Sequence, residues 1–134
     1  MNTIEGSYLA DLSCELHHVK SKAKIITNAP TDNEGKGENF SPTDLVAAAL
    51  ASCMLTIIGI RAKKKGLDIK RPTFKVLKVM SSSPRAISEI RIEFTFKSNL
   101  AEADRDYLEK EALNCPVALS LNKDLRQNIT FRYT

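Results

Sequence analysis

Apolar and polar residues alternate from Tyr8 to Val19, with Tyr8, Ala10, Leu12, Cys14 and Leu16 on one side and Asp11, Ser13, Glu15 and His17 on the other. A period of two over that length predicts a strand with one buried face. A second strand, about Lys22 to Thr27, is expected across a turn at Lys20–Ser21. The stretch 28–39 holds Pro30, Gly35 and Gly37 among Asp and Asn residues and reads as a polar loop. A helix then begins abruptly. Ser41 can accept from the free N–H groups, Pro42 suits the first helical position, and Asp44 stands where a capping-box acid belongs. The helix should run to about Lys65 and stop at Gly66.

Two longer alternating runs, Arg71 to Ser81 and Ile87 to Lys97, flank the turn-forming Ser81-Ser-Ser-Pro-Arg85 and predict a hairpin. Ser98 or Asn99 is expected to start a second helix, Ala101 to Leu113, with Leu108, Ala112 and Leu100 inward. A short helix from Pro116 to Asn122 and a last strand, about Asn128 to Tyr133, complete the chain. Strands, then helices, then strands give an α+β class. No repeat or linker interrupts the 134 residues, so one domain spanning 1–134 is expected.

Composition narrows the picture. With 43% apolar and 27% charged residues, the chain has a soluble globular make-up. Its net charge of +4 is scattered. The densest basic run, Arg61 to Lys65, closes the long helix, where cations are favoured by the macrodipole. No aromatic residues interleave with it, so nucleic acid is not an expected partner. Leu45 to Ile60 is apolar but shorter than the about 20 residues a bilayer requires, and Ser52, Thr56 and Gly59 interrupt it. A buried helix rather than a membrane span is expected. So long an apolar helix in so small a chain points to cover from a partner subunit. The segment Met1-Asn-Thr-Ile-Glu-Gly6 lacks the basic and apolar regions of a secretory signal, which suits a cytoplasmic protein.

Three cysteines without Cys-x-x-Cys argue against structural disulfides and common zinc sites, and no glycine-rich phosphate loop is present. No cofactor or metal is expected. Cys14 falls on the apolar side of the first strand and reads as packing. Cys53 lies about three turns into an apolar helix, where a thiol is commonly an inert small hydrophobe whose pKa burial raises. Cys115 precedes Pro116, so it becomes the N-cap of the short helix, where free N–H groups can stabilise a thiolate. From the residues alone Cys115 is the more reactive thiol. Sequence does not place the two sulfurs within disulfide reach.

Phe40-Ser-Pro-Thr-Asp-Leu-Val-Ala-Ala-Ala-Leu-Ala-Ser-Cys53 resembles the first cysteine motif of the OsmC/Ohr family of osmotically induced and organic-hydroperoxide-resistance proteins. Asn114-Cys-Pro-Val117, 62 residues beyond Cys53, is similar to the second motif, and Gly35-Lys-Gly37 and the order of elements fit as well. The resemblance implies antiparallel sheets packed around a central helix carrying Cys53, in an intertwined homodimer. It also implies a thiol-dependent peroxidase, in which Cys53 attacks an organic hydroperoxide, Cys115 resolves the sulfenic acid, and an external dithiol reductant restores the pair.

Two departures from the family pattern are visible. The family's Glu ten residues before the first cysteine is Thr43 here, with Asp44 at minus nine, and no Arg precedes Arg61. Asp44 is thus a candidate site residue and also a plain helix cap. A thiol among Ala, Leu and Ile requires a nearby cation to ionise. His17, His18, Lys20 and Lys24 are the candidates, and strand parity places His18 with Cys14 on the expected buried side. The alternative function is a redox-responsive or ligand-binding stress protein with little turnover, and a structural protein with inert thiols is a third reading.

Overall fold

The computed structural model describes residues 1–134 and is α+β. It comprises two compact units, Met1–Val46 and Ala47–Thr134. In the first, β1 (Ile4–Ala10), β2 (Ser13–His18) and β3 (Lys24–Asn28) form an antiparallel sheet in that order. The single strand expected from Tyr8 to Val19 is therefore two. Ala10, Asp11 and Leu12 carry positive φ angles of 79°, 52° and 61°, and the chain reverses there. Left-handed turn residues match the twist of a hairpin. The alternation continues through this turn with no Gly or Pro to mark it, so periodicity alone could not place the break.

The loop after β3 holds one 3-10 turn, Thr31–Asn33. Gly35 is required there: a Cβ at this position would stand 1.7 Å from the Ala29 carbonyl oxygen.

Helix α1 (Pro42–Lys64) crosses from the first unit into the second and ends before Gly66, whose φ is +68°. Its start is the expected capping box. Ser41 Oγ accepts the Asp44 N–H at 3.1 Å, and the Asp44 carboxylate accepts the Ser41 N–H at 2.9 Å. Ala47, Leu50, Ala51, Met54, Ile58 and Ala62 of α1 are buried. Over its most apolar 18 residues the helix has the length and composition of a membrane span, and 33% of that window is buried within the protein.

In the second unit β4 (Thr73–Ser82) and β5 (Arg85–Phe96) form the expected hairpin, with a cis Ser83–Pro84 peptide at its tip. The chain then passes through α2 (Glu102–Leu113) and α3 (Pro116–Ser120) to β6 (Arg126–Tyr133). β6 pairs with β5 in parallel, a departure from the wholly antiparallel sheets expected. The physical reason is the connection itself. Two helices carry the chain back to the starting end of β5, and parallel neighbours require such a crossover.

Ala101, not Ser98 or Asn99, occupies the N-cap of α2, without a side-chain hydrogen bond. Ile90, Ile92, Phe94 and Phe96 of β5 are buried, as are Leu100, Leu108 and Ala112. Phe94 stacks on Phe131 at 5.5 Å between ring centroids, and Phe96 on Tyr133 at 5.1 Å. These are register neighbours across the parallel pair.

Candidate functional site

Cys53 sits on α1 beside buried Met54, and is itself half-buried. The deep burial expected of it is not seen in the protomer. Cys115 is the reverse: it is 1% exposed. It forms the N-cap of α3 with Pro116 at the start of the helix, as its position before a proline predicts, and its sulfur accepts the Ala118 N–H at 3.4 Å. Its own N–H bonds the Ala112 carbonyl at 3.1 Å, and its carbonyl accepts the Leu119 N–H at 3.0 Å. From β6, Gln127 Nε2 donates to the Ala118 carbonyl at 3.0 Å. The sulfur is therefore held by the end of α2, by α3 and indirectly by the last strand.

Cys53 and Cys115 lie close enough for Cys53 to affect the ionisation of Cys115. Both are free. Burial pushes the Cys115 thiol above its ordinary range. The Ala118 N–H opposes this, and the nearness of Cys53 adds to it. The expectation that N-capping would ease the ionisation of Cys115 meets an opposing effect. The cap is present, but desolvation, which sequence does not show, outweighs it.

The remaining candidates lie in the first unit. Asp44 completes the capping box and places a negative charge at the helix N-terminus, where the macrodipole favours it. His18 is exposed, contrary to the buried side that parity assigned it. It ends β2, and its Nδ1 lies 2.6 Å from the Ser21 hydroxyl in the following turn. The strand ends there, so its alternation no longer dictates which residue is covered. His17 Nε2 stands 3.0 Å from Glu15 on the same strand face. Lys20 and Lys24 are exposed, and Cys14 is half-buried on β2 between Tyr8 and Thr27 of the neighbouring strands.

Sequence reasoning missed the residues that hold α2 against α1. Arg61 Nε lies 2.8 Å from Glu111 Oε1, and Lys65 Nζ lies 3.1 Å from Asp104 Oδ1 and 4.6 Å from the Tyr107 ring centroid. The partners are too far apart in the chain for any local pattern to show them. Glu111 does stand one turn before Cys115, and that spacing was visible.

The family model for OsmC-like protein matches residues 35–130. Among solved structures, the chain is 46% identical to a protein of Psychrobacter arcticus 273-4 described as osmotic stress induced and of the detoxification response. That likeness covers 98% of this chain and 96% of the other, with a TM-score of 0.95. The OsmC-like protein of Mycoplasma pneumoniae shares the fold at 19% identity and a TM-score of 0.81, over 98% of this chain and 95% of that one. The organic hydroperoxide resistance protein OsmC of Legionella pneumophila does so at 14% identity and a TM-score of 0.77, over 98% of each chain. Among curated proteins none matches the sequence.

Proposed function

The chain belongs to the OsmC-like protein family, and on that premise we propose that it is a thiol-dependent peroxidase that reduces organic hydroperoxides in oxidative-stress defence. Family membership supports a redox role in the stress response. The observation that carries the finer reading is the neighbouring pair of free thiols, one half-exposed on α1 and one buried with its proton held.

The attack is assigned to Cys53, because it is the more accessible sulfur and because burial and Cys53 itself both keep the proton on Cys115. The Cys53 thiolate attacks the outer oxygen of the hydroperoxide. The O–O bond breaks, the alkoxide takes up a proton and leaves as the alcohol, and Cys53 becomes a sulfenic acid. The Cys115 sulfur displaces the hydroxyl, which leaves as water with the Cys115 proton, and a disulfide forms. An external dithiol then returns both sulfurs to thiols and is itself oxidised to a disulfide.

The working form is proposed to be a cytoplasmic homodimer. The chain exposes 9091 Å², against about 7000 Å² for a monomeric protein of this mass. Ile4, Tyr8, Leu9, Ile25 and Ile26 of the first sheet and Leu12 in its β1–β2 turn are among the exposed large apolar residues. A sheet with so many of them uncovered requires a further layer.

The test is reduced protein mixed with an alkyl hydroperoxide and a dithiol. Catalytic consumption should be present in wild type and absent in Cys53→Ser. In Cys115→Ser a sulfenic acid should be trapped on Cys53 by a dione reagent; a sulfenic acid on Cys115 in Cys53→Ser would reverse the roles. Stoichiometric oxidation without turnover would instead favour the redox-responsive reading, which the absence of any Arg before Arg61 supports.

A further inference from the structure

The α1–α2 pairing runs in order. Cys53 and Arg61 of α1 and Lys65 just past its end lie near Cys115, which follows α2, and Glu111 and Asp104 of α2 respectively. Rising numbers on one side meet falling numbers on the other, so the two helices are antiparallel and the thiols lie at one end of their seam. Of the two ion pairs, Arg61–Glu111 is the nearer to the cysteines along the chain on both sides. Both side chains are about one-third exposed, 34% and 32%, and Arg61 Nε itself is buried. This Nε–H points off Glu111 Oε1, so the contact is a charge pair and not a hydrogen bond through that atom.

What Glu111 is attached to gives the pair its consequence. The Glu111 carbonyl accepts the Asn114 N–H at 3.2 Å, the neighbouring Ala112 carbonyl accepts the Cys115 N–H, and buried Ala112 anchors that turn. Any slide or tilt of the last turn of α2 relative to α1 therefore moves the Cys115 sulfur relative to Cys53. A disulfide tolerates little of this: its Cα atoms must lie within roughly 4.4–6.8 Å, with a narrow torsion about the S–S bond.

We infer that Arg61 and Glu111 are positioning residues that fix the last turn of α2 on α1 and so set how readily Cys53 and Cys115 join. The inference rests on the redox reading of the cysteine pair. It concerns disulfide closure, not the attack on peroxide, because the constraint acts through the backbone of Cys115 and leaves Cys53 on its own continuous helix.

The experiment equilibrates the full-length protein with reduced and oxidised glutathione, quenches by alkylation, and reads the Cys53–Cys115 disulfide by mass spectrometry. One oxidised glutathione is consumed and two reduced glutathiones are released per disulfide formed. Glu111→Gln and Arg61→Gln should each lower the equilibrium constant for closure roughly two- to five-fold, the range a partly exposed ion pair supports. The exchanged pair, Arg61→Glu with Glu111→Arg, should recover most of the loss. Lys65→Gln removes the rung farther from the sulfurs, so it should leave the closure constant at the wild-type value even where it lowers Tm. A wild-type constant in Glu111→Gln and Arg61→Gln, or an equal shift in Lys65→Gln, overturns the inference. Failure of the wild type to close a disulfide at any glutathione ratio overturns the redox reading beneath it.

Discussion

Asp44 stands at the first turn of a helix that carries Cys53, and its role can be separated by three substitutions. Ser41 is 1% exposed, and its hydroxyl accepts the Asp44 N–H. Ser41→Ala removes that acceptor at a buried helix start, which costs about 1–2 kcal/mol. For 134 residues the unfolding entropy near the midpoint is about 280 cal/mol/K, so the loss corresponds to a fall in Tm of about 4–7 °C. Asp44→Asn keeps an oxygen able to accept the Ser41 N–H but removes a charge at the N-terminus, which is worth about 0.3–1 kcal/mol or about 1–4 °C. Asp44→Ala loses both and should fall near the Ser41→Ala value. Calorimetry at fixed protein concentration gives the three midpoints, and stopped-flow oxidation of Cys53 by an alkyl hydroperoxide, well below those midpoints, gives the rates. If the acid only caps the helix, all three variants oxidise at the wild-type rate. A ten-fold or greater loss of rate in Asp44→Asn, with Tm unchanged, would refute that and place the carboxylate in the chemistry.

Other outcomes follow from the same geometry. Phe94→Ala empties a fully buried position stacked on Phe131 and near Phe74; denaturant unfolding should show a loss of about 3–5 kcal/mol. Tyr133 donates to Glu109 Oε2 at 3.0 Å, and burial followed by this hydrogen bond pushes its hydroxyl well above the usual range. Because the folded pKa is raised, the stabilisation is full below about pH 10 and is lost as pH rises beyond it. Spectrophotometric titration of the native protein should show one tyrosine ionising well above the range of a free phenol, and Tyr133→Phe should abolish that late step. Native alkylation near neutral pH should label Cys53 well before Cys115, since the latter is buried with its proton held; equal rates would contradict the assignment of attack. His18→Ala should leave the oxidation rate of Cys53 unchanged, because the ring is exposed and engaged with Ser21.

Where one local signal decided the structure, the sequence was readable. Ser41, Pro42 and Asp44 announced the start of α1, Gly66 its end, and Cys115-Pro116 the start of α3. The turn at Ala10–Leu12 was hidden because non-glycine residues hold positive φ there while the polar alternation runs on. The parallel pairing of β5 and β6 was hidden because a strand's pattern carries no direction. The site divided in the same way. Capping of Cys115 was local and visible. Its burial and its approach to Cys53, 62 residues away, are products of packing, and these work against the ionisation that capping alone suggested.

The parallel register of β5 and β6 has a consequence for how the thiol pair comes into being. Residues 97–125, which include Cys115, form a loop closed only when Arg126–Tyr133 zips alongside β5. Closing a loop of that length carries an entropic cost, which the contacts of α2 with Arg61 and Lys65 offset only in part before β6 pairs with β5. During synthesis the chain can therefore make α1, with Cys53 in place, well before it can seat Cys115. The final eight-residue strand acts as a latch on chemistry it does not touch, and clipping it would loosen the seat of Cys115 while leaving both cysteines in the chain.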